Sequence, residues 1–200
     1  MNDDATVYIV DDDPAVLRSM VALVKVVFPR VEGFSSASEF LSAYERDHPG
    51  CLVLDVAMPE MSGLELHRKL MQEHVDLPVL FVTGHGNVQM AVGAMQAGAV
   101  NFLEKPFREQ DLWDSVRRAL EIDAQTRRRK ARRAEVEQRL GRLNPGERDV
   151  LDLILAGKYN KEIADSLKLS VRTVEDRRAR IMKKMEARSL AELVQLATSH

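Results

Sequence analysis

The feature that most constrains this chain is an alternation. Five short apolar runs, Thr6 to Val10, Val31 to Phe34, Cys51 to Asp55, Val79 to Thr83 and Asn101 to Lys105, are each followed by an amphipathic stretch. These stretches are Pro14 to Phe28, Ala37 to Arg46, Gly63 to Glu73, Val88 to Ala97 and a last one from Glu109 onward. Short runs rich in Val, Ile, Leu and Phe fit strands, and the longer stretches carry the helical period. Alternation of this kind predicts an α/β fold, a five-stranded doubly wound parallel sheet with helices on both faces. Start signals agree, because Ser36 and Ser62 stand three residues before Glu39 and Glu65, the spacing of a capping box.

In an open α/β sheet, functional groups gather at the carboxyl ends of the strands. Here those ends supply Asp11 and Asp12, then Asp55, Thr83 and Lys105. Adjacent carboxylates repel and raise one another's pKa, so the "VYIVDDDPAV" stretch gains most if a hard divalent cation sits among them. Mg²⁺ takes one or two carboxylates, a carbonyl and several waters, which suits Asp11 and Asp12. Asp13, just before Pro14, reads instead as a helix N-cap. A carboxylate beside a cation and a lysine can attack phosphorus and form an acyl phosphate. Asp55, closing "CLVLD" ahead of a loop punctuated by Pro59 and Gly63, is the candidate nucleophile, with Lys105 as countercharge. Asp11 and Asp12 alone would read as a solvated cap; Asp55 and Lys105 at matching strand ends favour a site. By spacing alone Thr83 is a strand-end hydroxyl, Phe102 and Met95 are core, His85 is a loop residue and Cys51 a buried inert thiol.

Charge divides the chain. Residues 1–123 carry 10 Lys/Arg and 20 Asp/Glu, whereas residues 124–200 carry 19 and 11. The acidic part suits a cation and the basic part a polyanion such as nucleic acid. In the basic part, "NPGERDVLDLILAG" reads as a helix with Asn144 as cap, Pro145 in first position, Glu147 as capping partner and Gly157 as stop. "NKEIADSL", "SVRTVEDRRARIMKKM" and "SLAELVQLA" supply three more helices, and Ile163, Leu167, Leu169, Val174, Ile181 and Leu193 are expected to close a small core. The short break "KLS", with Ser170 capping the next helix, makes a helix-turn-helix. Its second helix bears Arg172, Arg177, Arg178 and Arg180; its first turns would enter the major groove, with later arginines on phosphates. Expected DNA contacts are Lys161, Ser170, Arg172, Thr173, Arg177 and Arg178. From Phe107 to Leu140 there is neither Gly nor Pro, so the preceding helix can run on for roughly 45–50 Å. The basic run Arg127 to Arg133 reads as the solvated face of that helical linker.

One cysteine excludes an internal disulfide and suits a reducing compartment. No segment approaches the roughly 18–20 apolar residues that span a bilayer, and "MNDDATV" does not read as a signal peptide. A soluble cytoplasmic protein with no membrane partner is expected. A phosphohydrolase with an aspartate nucleophile would place a second acid two residues after Asp55, where Ala57 stands, so no enzyme is expected beyond phosphoryl acceptance at Asp55.

The motifs "VDDD", "LDVAMPEMSG", "VTGHG" and "FLEKPF", in this order and spacing, resemble the receiver domain of two-component response regulators over about Ala5 to Asp123. The resemblance implies a flavodoxin-like fold and phosphorylation of Asp55. It also implies Mg²⁺ held by Asp12, Asp55 and the Ala57 carbonyl, with Asp11 acting through water. Thr83 would hydrogen-bond the phosphoryl group, Lys105 would pair with it, Lys105-Pro106 would be cis, and Phe102 would be the switch aromatic. Residues from about Leu143 to Thr198 resemble the LuxR-type helix-turn-helix, with Arg177 where many members carry histidine. The whole chain is similar to the FixJ branch of the NarL/FixJ regulators. That implies a receiver over 1–123, a helical linker over 124–142 and a DNA-binding domain over 143–200. The implied function is a transcription factor phosphorylated by a sensor histidine kinase, which then forms a homodimer on double-stranded promoter DNA. It would act as an activator, with RNA polymerase as a further partner.

Overall fold

A computed structural model of the chain describes residues 4–84 and 88–198, and the loop reading made for His85 lies outside them. The chain divides into two compact units, Met1–Arg127 and Arg128–His200. The first contains β1 (Thr6–Val10), α1 (Pro14–Lys25), β2 (Val31–Phe34), α2 (Ala37–Ala43), β3 (Gly50–Leu54), α3 (Gly63–Gln72), β4 (Val79–Thr83), α4 (Val88–Gln96) and β5 (Asn101–Glu104). α5 (Glu109–Gly141) is one helix of 33 residues that begins in this unit and ends in the second. The strands are all parallel, in the order β2-β1-β3-β4-β5.

The period of two in the strands sorts the core into two layers. Val7, Ile9, Cys51, Val53, Leu80 and Val82 face α1 and α5, where Met20, Val24, Leu112 and Val116 meet them. Tyr8, Val10, Leu52, Leu54 and Phe81 face the opposite way, onto Phe40 of α2, Leu66 and Leu70 of α3 and Ala94 of α4. Helices therefore cover both faces, as a doubly wound sheet requires. The Cys51 thiol is fully buried, and burial pushes its pKa up, which makes it unreactive.

Several boundaries differ from the sequence reading for identifiable reasons. β3 and β5 stop one residue early, so Asp55 and Lys105 stand just past their strands, although the Asp55 N–H still donates to the Val10 carbonyl and the Lys105 N–H to the Thr83 carbonyl. α1 ends at Lys25; Phe28 precedes Pro29, a position that disfavours helical backbone, and turns into the core instead. α2 ends at Ala43 because Tyr44 is extended, its ring stacked on Phe40 at 5.2 Å and edge-on to Tyr8 at 5.5 Å. Ser62 and Glu65 form a full capping box. At Ser36 only half of the box exists: its hydroxyl accepts from the Glu39 N–H, but the Glu39 carboxylate accepts from the N–H and hydroxyl of Ser35.

Near the middle of α5, buried Asp123 accepts from the Gly50 N–H at 3.2 Å and from Arg127 Nε at 2.8 Å. The rest of the Arg127 guanidinium donates to the carbonyls of Asp47 and His48, fixing this part of the helix to the loop before β3.

The second unit consists of the end of α5 with α6 (Pro145–Leu155), α7 (Asn160–Leu167), α8 (Val171–Met185) and α9 (Leu190–Thr198). Val136, Val150, Ile163, Val174, Ile181 and Leu193 form its core, and Leu167 and Leu169 are half-buried against it. The capping box of Asn144 and Glu147 opens α6, and Gly157, at φ +75°, follows its end in the left-handed region that glycine adopts without strain. Among the described residues no helix is long and apolar enough to cross a membrane.

Candidate functional site

From β1 the chain crosses to β2 on one side, and from β3 to β4 on the other. The loops after β1 and β3 diverge, leaving a crevice at the carboxyl edge, the place where open α/β sheets bind ligands. Register pairs Val10 with Leu54, so Asp11 and Asp55 emerge side by side above it. Thr83 pairs with Glu104, which sets Lys105 over the same edge. Lys105 Nζ donates to Asp11 Oδ2 at 2.7 Å and to Asp55 Oδ1 at 3.3 Å. The other Asp55 oxygen accepts from the Ala57 N–H at 2.7 Å, and Asp11 Oδ1 accepts from the Asp13 N–H at 3.0 Å.

Asp11 and Asp55 are only 5% and 8% exposed, so one ammonium serves two buried carboxylates. Burial pushes the Asp55 pKa up, and the neighbouring Asp11 charge adds to this; the Ala57 N–H and the Lys105 ammonium pull the other way without cancelling it. The site is short of positive charge. Among the described residues no three His, Cys, Asp or Glu side chains form a metal-binding group. Two carboxylates and a loop carbonyl are nonetheless an all-oxygen set of the size Mg²⁺ uses when waters complete its shell, so these residues fit that ion. Asp12 is exposed. Asp13 caps α1 by accepting from the Ala15 and Val16 N–H groups, which hold its carboxyl below the usual range.

Thr83 is fully buried at the end of β4. Phe102 pairs in register with Phe81, their ring centroids 6.2 Å apart, and is half-buried. Alternation along the strands puts Thr83, Phe81 and Phe102 on one face of the sheet, so the predicted switch pair are diagonal neighbours. Lys105-Pro106 is cis. Gly63 matters more than its place in the sequence suggests: its N–H donates to the Val56 carbonyl at 3.0 Å, and a Cβ there would lie 2.1 Å from the Asp55 carbonyl oxygen. Only a residue without a side chain lets α3 start this close to Asp55.

In the second unit the predicted DNA contacts separate into three groups. Ser170 caps α8, its hydroxyl accepting from the Thr173 N–H at 3.1 Å and bonding the Thr173 hydroxyl at 2.8 Å. Arg177 and Arg178 are half-buried and turned inward: Arg177 donates to the Gly146 carbonyl at 3.1 Å and Arg178 to Asn160 Oδ1 at 2.6 Å. Lys161 and Arg172 are exposed. Lys184 donates to Glu147 Oε2 at 2.6 Å, a bond that holds this buried carboxyl below the usual range. A cleft of about 630 Å³ lies between the start of α7 and α8, lined by Tyr159, Lys161, Val171 and Arg178 among others. Tyr159, 79% exposed, drew no attention in the sequence because a lone aromatic outside a periodic run gives no signal.

Residues 7–117 match the response regulator receiver domain, and residues 142–197 match the bacterial regulatory proteins of the luxR family. The response regulator protein TodT of Pseudomonas putida is 44% identical over 98% of this chain and 87% of its own length. The transcriptional regulatory protein FixJ of Rhizobium meliloti is 41% identical over 97% of this chain and 95% of its own. Among solved structures, the response regulator StyR superposes with a TM-score of 0.89 at 40% identity, covering 98% of this chain and 100% of that one. Full-length FixJ from B. japonicum gives 0.58 at 38% identity, covering 98% and 96%.

Proposed function

The chain belongs to the two-component response regulators that join a receiver domain to a LuxR-family DNA-binding domain, and from that premise we propose that it is a phosphorylation-gated transcription factor. We assign the receiver to residues 1–123, a helical linker to 124–142 and the DNA-binding domain to 143–200. The phosphoryl group comes from a sensor histidine kinase and goes to Asp55. An Asp55 carboxylate oxygen forms the new P–O bond while the donor's P–N bond breaks, and the departing imidazole keeps the electron pair and takes a proton. The observation that carries this reading is the Lys105 ammonium shared between two buried carboxylates, one of them held by the Ala57 N–H.

Each residue then has a task. Asp55 is the nucleophile, and burial keeps its carboxylate more basic than usual. Lys105, released from Asp55 when that carboxylate becomes an acyl phosphate, bonds the phosphoryl oxygens. Asp12, Asp55 and the Ala57 carbonyl would hold Mg²⁺, with Asp11 acting through water, and the ion would supply further positive charge for those oxygens. The Thr83 hydroxyl is drawn to the phosphoryl group, and the space it leaves admits the Phe102 ring from the same sheet face. α4 presents Val88, Val92 and Met95 to solvent at 79%, 49% and 46% exposure, so Met95, read as core from its spacing, lies outside it, and the three form an i, i+4, i+7 apolar stripe that suits pairing of two phosphorylated receivers.

Pairing matters because one helix-turn-helix contacts too little DNA for tight binding, whereas two on adjacent half-sites combine through effective concentration. The output acts on duplex promoter DNA in the cytoplasm, with α8 entering the major groove. Activation, with RNA polymerase as a further partner, rests on resemblance to the FixJ branch. Apart from accepting its own phosphoryl group, the chain is assigned no catalysis.

The test is to incubate wild type and Asp55→Asn with a small acyl-phosphate donor, with and without a chelator, and to measure intact mass. Labelling of wild type alone, abolished by the chelator, is expected. Efficient labelling of the asparagine variant overturns the assignment.

A further inference from the structure

The hydrogen bonds of α8 determine which of its faces is left for DNA. Val174, Ile181 and Met185 point into the core. Arg177 and Lys184 lie on one flank, tied to Gly146 and Glu147 of α6. Val171 and Arg178 lie on the other, beside the first turn of α7, where Arg178 bonds Asn160 and both line the cleft with Tyr159 and Lys161. At 100° per residue, the face opposite the core carries Arg172, Asp176, Ala179, Arg180 and Lys183, with Glu175 at its edge toward α7, and all six are exposed. Two arginines that the sequence offered as DNA contacts therefore hold the domain together, and two acids, Asp176 on the outward face and Glu175 at its edge, are left exposed.

Glu175 occupies a particular place at the edge of that face. It falls within the strip Val171, Glu175, Arg178, on the side of α8 next to the start of α7. Its carboxylate is exposed and has neither a hydrogen bond nor an ion pair to any of the described residues, although Arg172 and Arg178 stand three residues away on either side. A carboxylate brought toward a polyanion is repelled, so on a DNA-facing surface it must meet a hydrogen-bond donor. The only donors in the major groove are the exocyclic amino groups of cytosine and adenine. Adenine presents its N7 acceptor beside that amino group on the same base, which repels a group that only accepts; cytosine has no acceptor on its own ring beside the amino group, whose nearest acceptor neighbour is the O6 of the paired guanine.

We propose that Glu175 is a specificity-determining residue that accepts a hydrogen bond from the amino group of a cytosine in each half-site. The inference rests on the reading of α8 as the groove-entering helix, and the experiment separates the two. The full chain, treated with a small acyl-phosphate donor, is used to select binders from a pool of randomised duplexes, and the same is done with Glu175→Gln and Glu175→Ala. Because the Glu175 carboxylate is exposed and unbonded, neither substitution removes a contact within the fold.

Wild type should enrich sites with a cytosine at one position of each half-site. Glutamine both donates and accepts, as adenine requires, so Glu175→Gln should move that one position from cytosine to adenine. Glu175→Ala should lose discrimination there, a change of roughly 5- to 150-fold, while every other position stays as in wild type. If both variants select the wild-type sequence, Glu175 reads nothing and the proposal fails while the reading of α8 stands. If wild type enriches no sequence at all, the assignment of α8 to the groove fails, and this inference with it.

Discussion

Replacing Lys105 by alanine and Asp55 by asparagine should change receiver stability in opposite directions. The Lys105, Asp11 and Asp55 side chains are 23%, 7% and 9% exposed, and Lys105 bonds both carboxylates. Removing one partner of a buried ion pair costs about 3–5 kcal/mol, because the other charge is left desolvated and alone. Lys105 is partly solvated, which reduces the figure, so Lys105→Ala should cost about 2–4 kcal/mol at pH 7. Asp55→Asn keeps an oxygen to accept the Ala57 N–H and removes a desolvated charge beside Asp11; a gain of about 1 kcal/mol is expected. The pH dependence follows from the raised Asp55 pKa. Between its unfolded and folded values the folded state binds more protons, so ionised Asp55 opposes folding fully above the folded value and ceases to do so as pH falls through it. Both effects should therefore shrink as pH is lowered from 7 toward the ordinary carboxylate range.

Trp113 supplies the assay. It is the only tryptophan in the chain, and its indole N–H donates to the Leu23 carbonyl at 3.1 Å, so its fluorescence follows unfolding of the receiver. Urea titrations in chelator at pH 7 should show the Lys105→Ala midpoint lowered by about 1–2 M and the Asp55→Asn midpoint raised. An unchanged Lys105→Ala midpoint together with a lowered Asp55→Asn midpoint would refute the charge-shortage reasoning.

Three further outcomes are expected. Thr83→Ala should accept the phosphoryl group yet remain largely monomeric by sedimentation, because a phosphoryl group can shift the conformational equilibrium only through its different affinity for the two states; dimerisation as tight as wild type removes the hydroxyl from the signal. Gly63→Ala, whose methyl meets the Asp55 carbonyl at 2.1 Å, should destabilise the receiver by about 1–3 kcal/mol in the same Trp113 titration and slow acyl-phosphate labelling, and unchanged labelling would show that Asp55 tolerates the shift. Glu147→Gln should weaken protection of α6 against amide exchange at pH 7 by about 1–2 kcal/mol. Its carboxyl is held below the usual range by Lys184, so wild-type protection, present above the ordinary glutamate pKa, should fall as pH drops through the lower folded value and converge with the variant; two parallel pH curves would deny the pair this role.

The sequence by itself determined the elements and the chemistry at their ends. Strand and helix periods are local, so β1, β2 and β4 lie where the pattern put them, and Asp13, Ser62, Asn144 and Ser170 cap the helices they were read to cap. Charged residues at the ends of apolar runs were visible for the same reason, because few pressures other than a site gather Asp11, Asp55 and Lys105 at strand ends. Tertiary structure alone decided which partner each side chain takes. Tyr44 leaves α2 because aromatic packing on Tyr8 and Phe40 outweighs another helical turn, and Glu39 bonds Ser35 although the spacing favoured Ser36. The absence of a side chain at Gly63 reads as loop punctuation until α3 is seen against the Asp55 carbonyl. On α8 the sequence offers arginines at 172, 177 and 178 with equal claim, and nothing local separates them. Gly146 and Asn160, 31 and 18 residues away, draw two of them inward and leave Arg172 and Glu175 outside. A guanidinium turns to whichever acceptor the packed neighbour brings within reach, and that neighbour is fixed only when the helices meet.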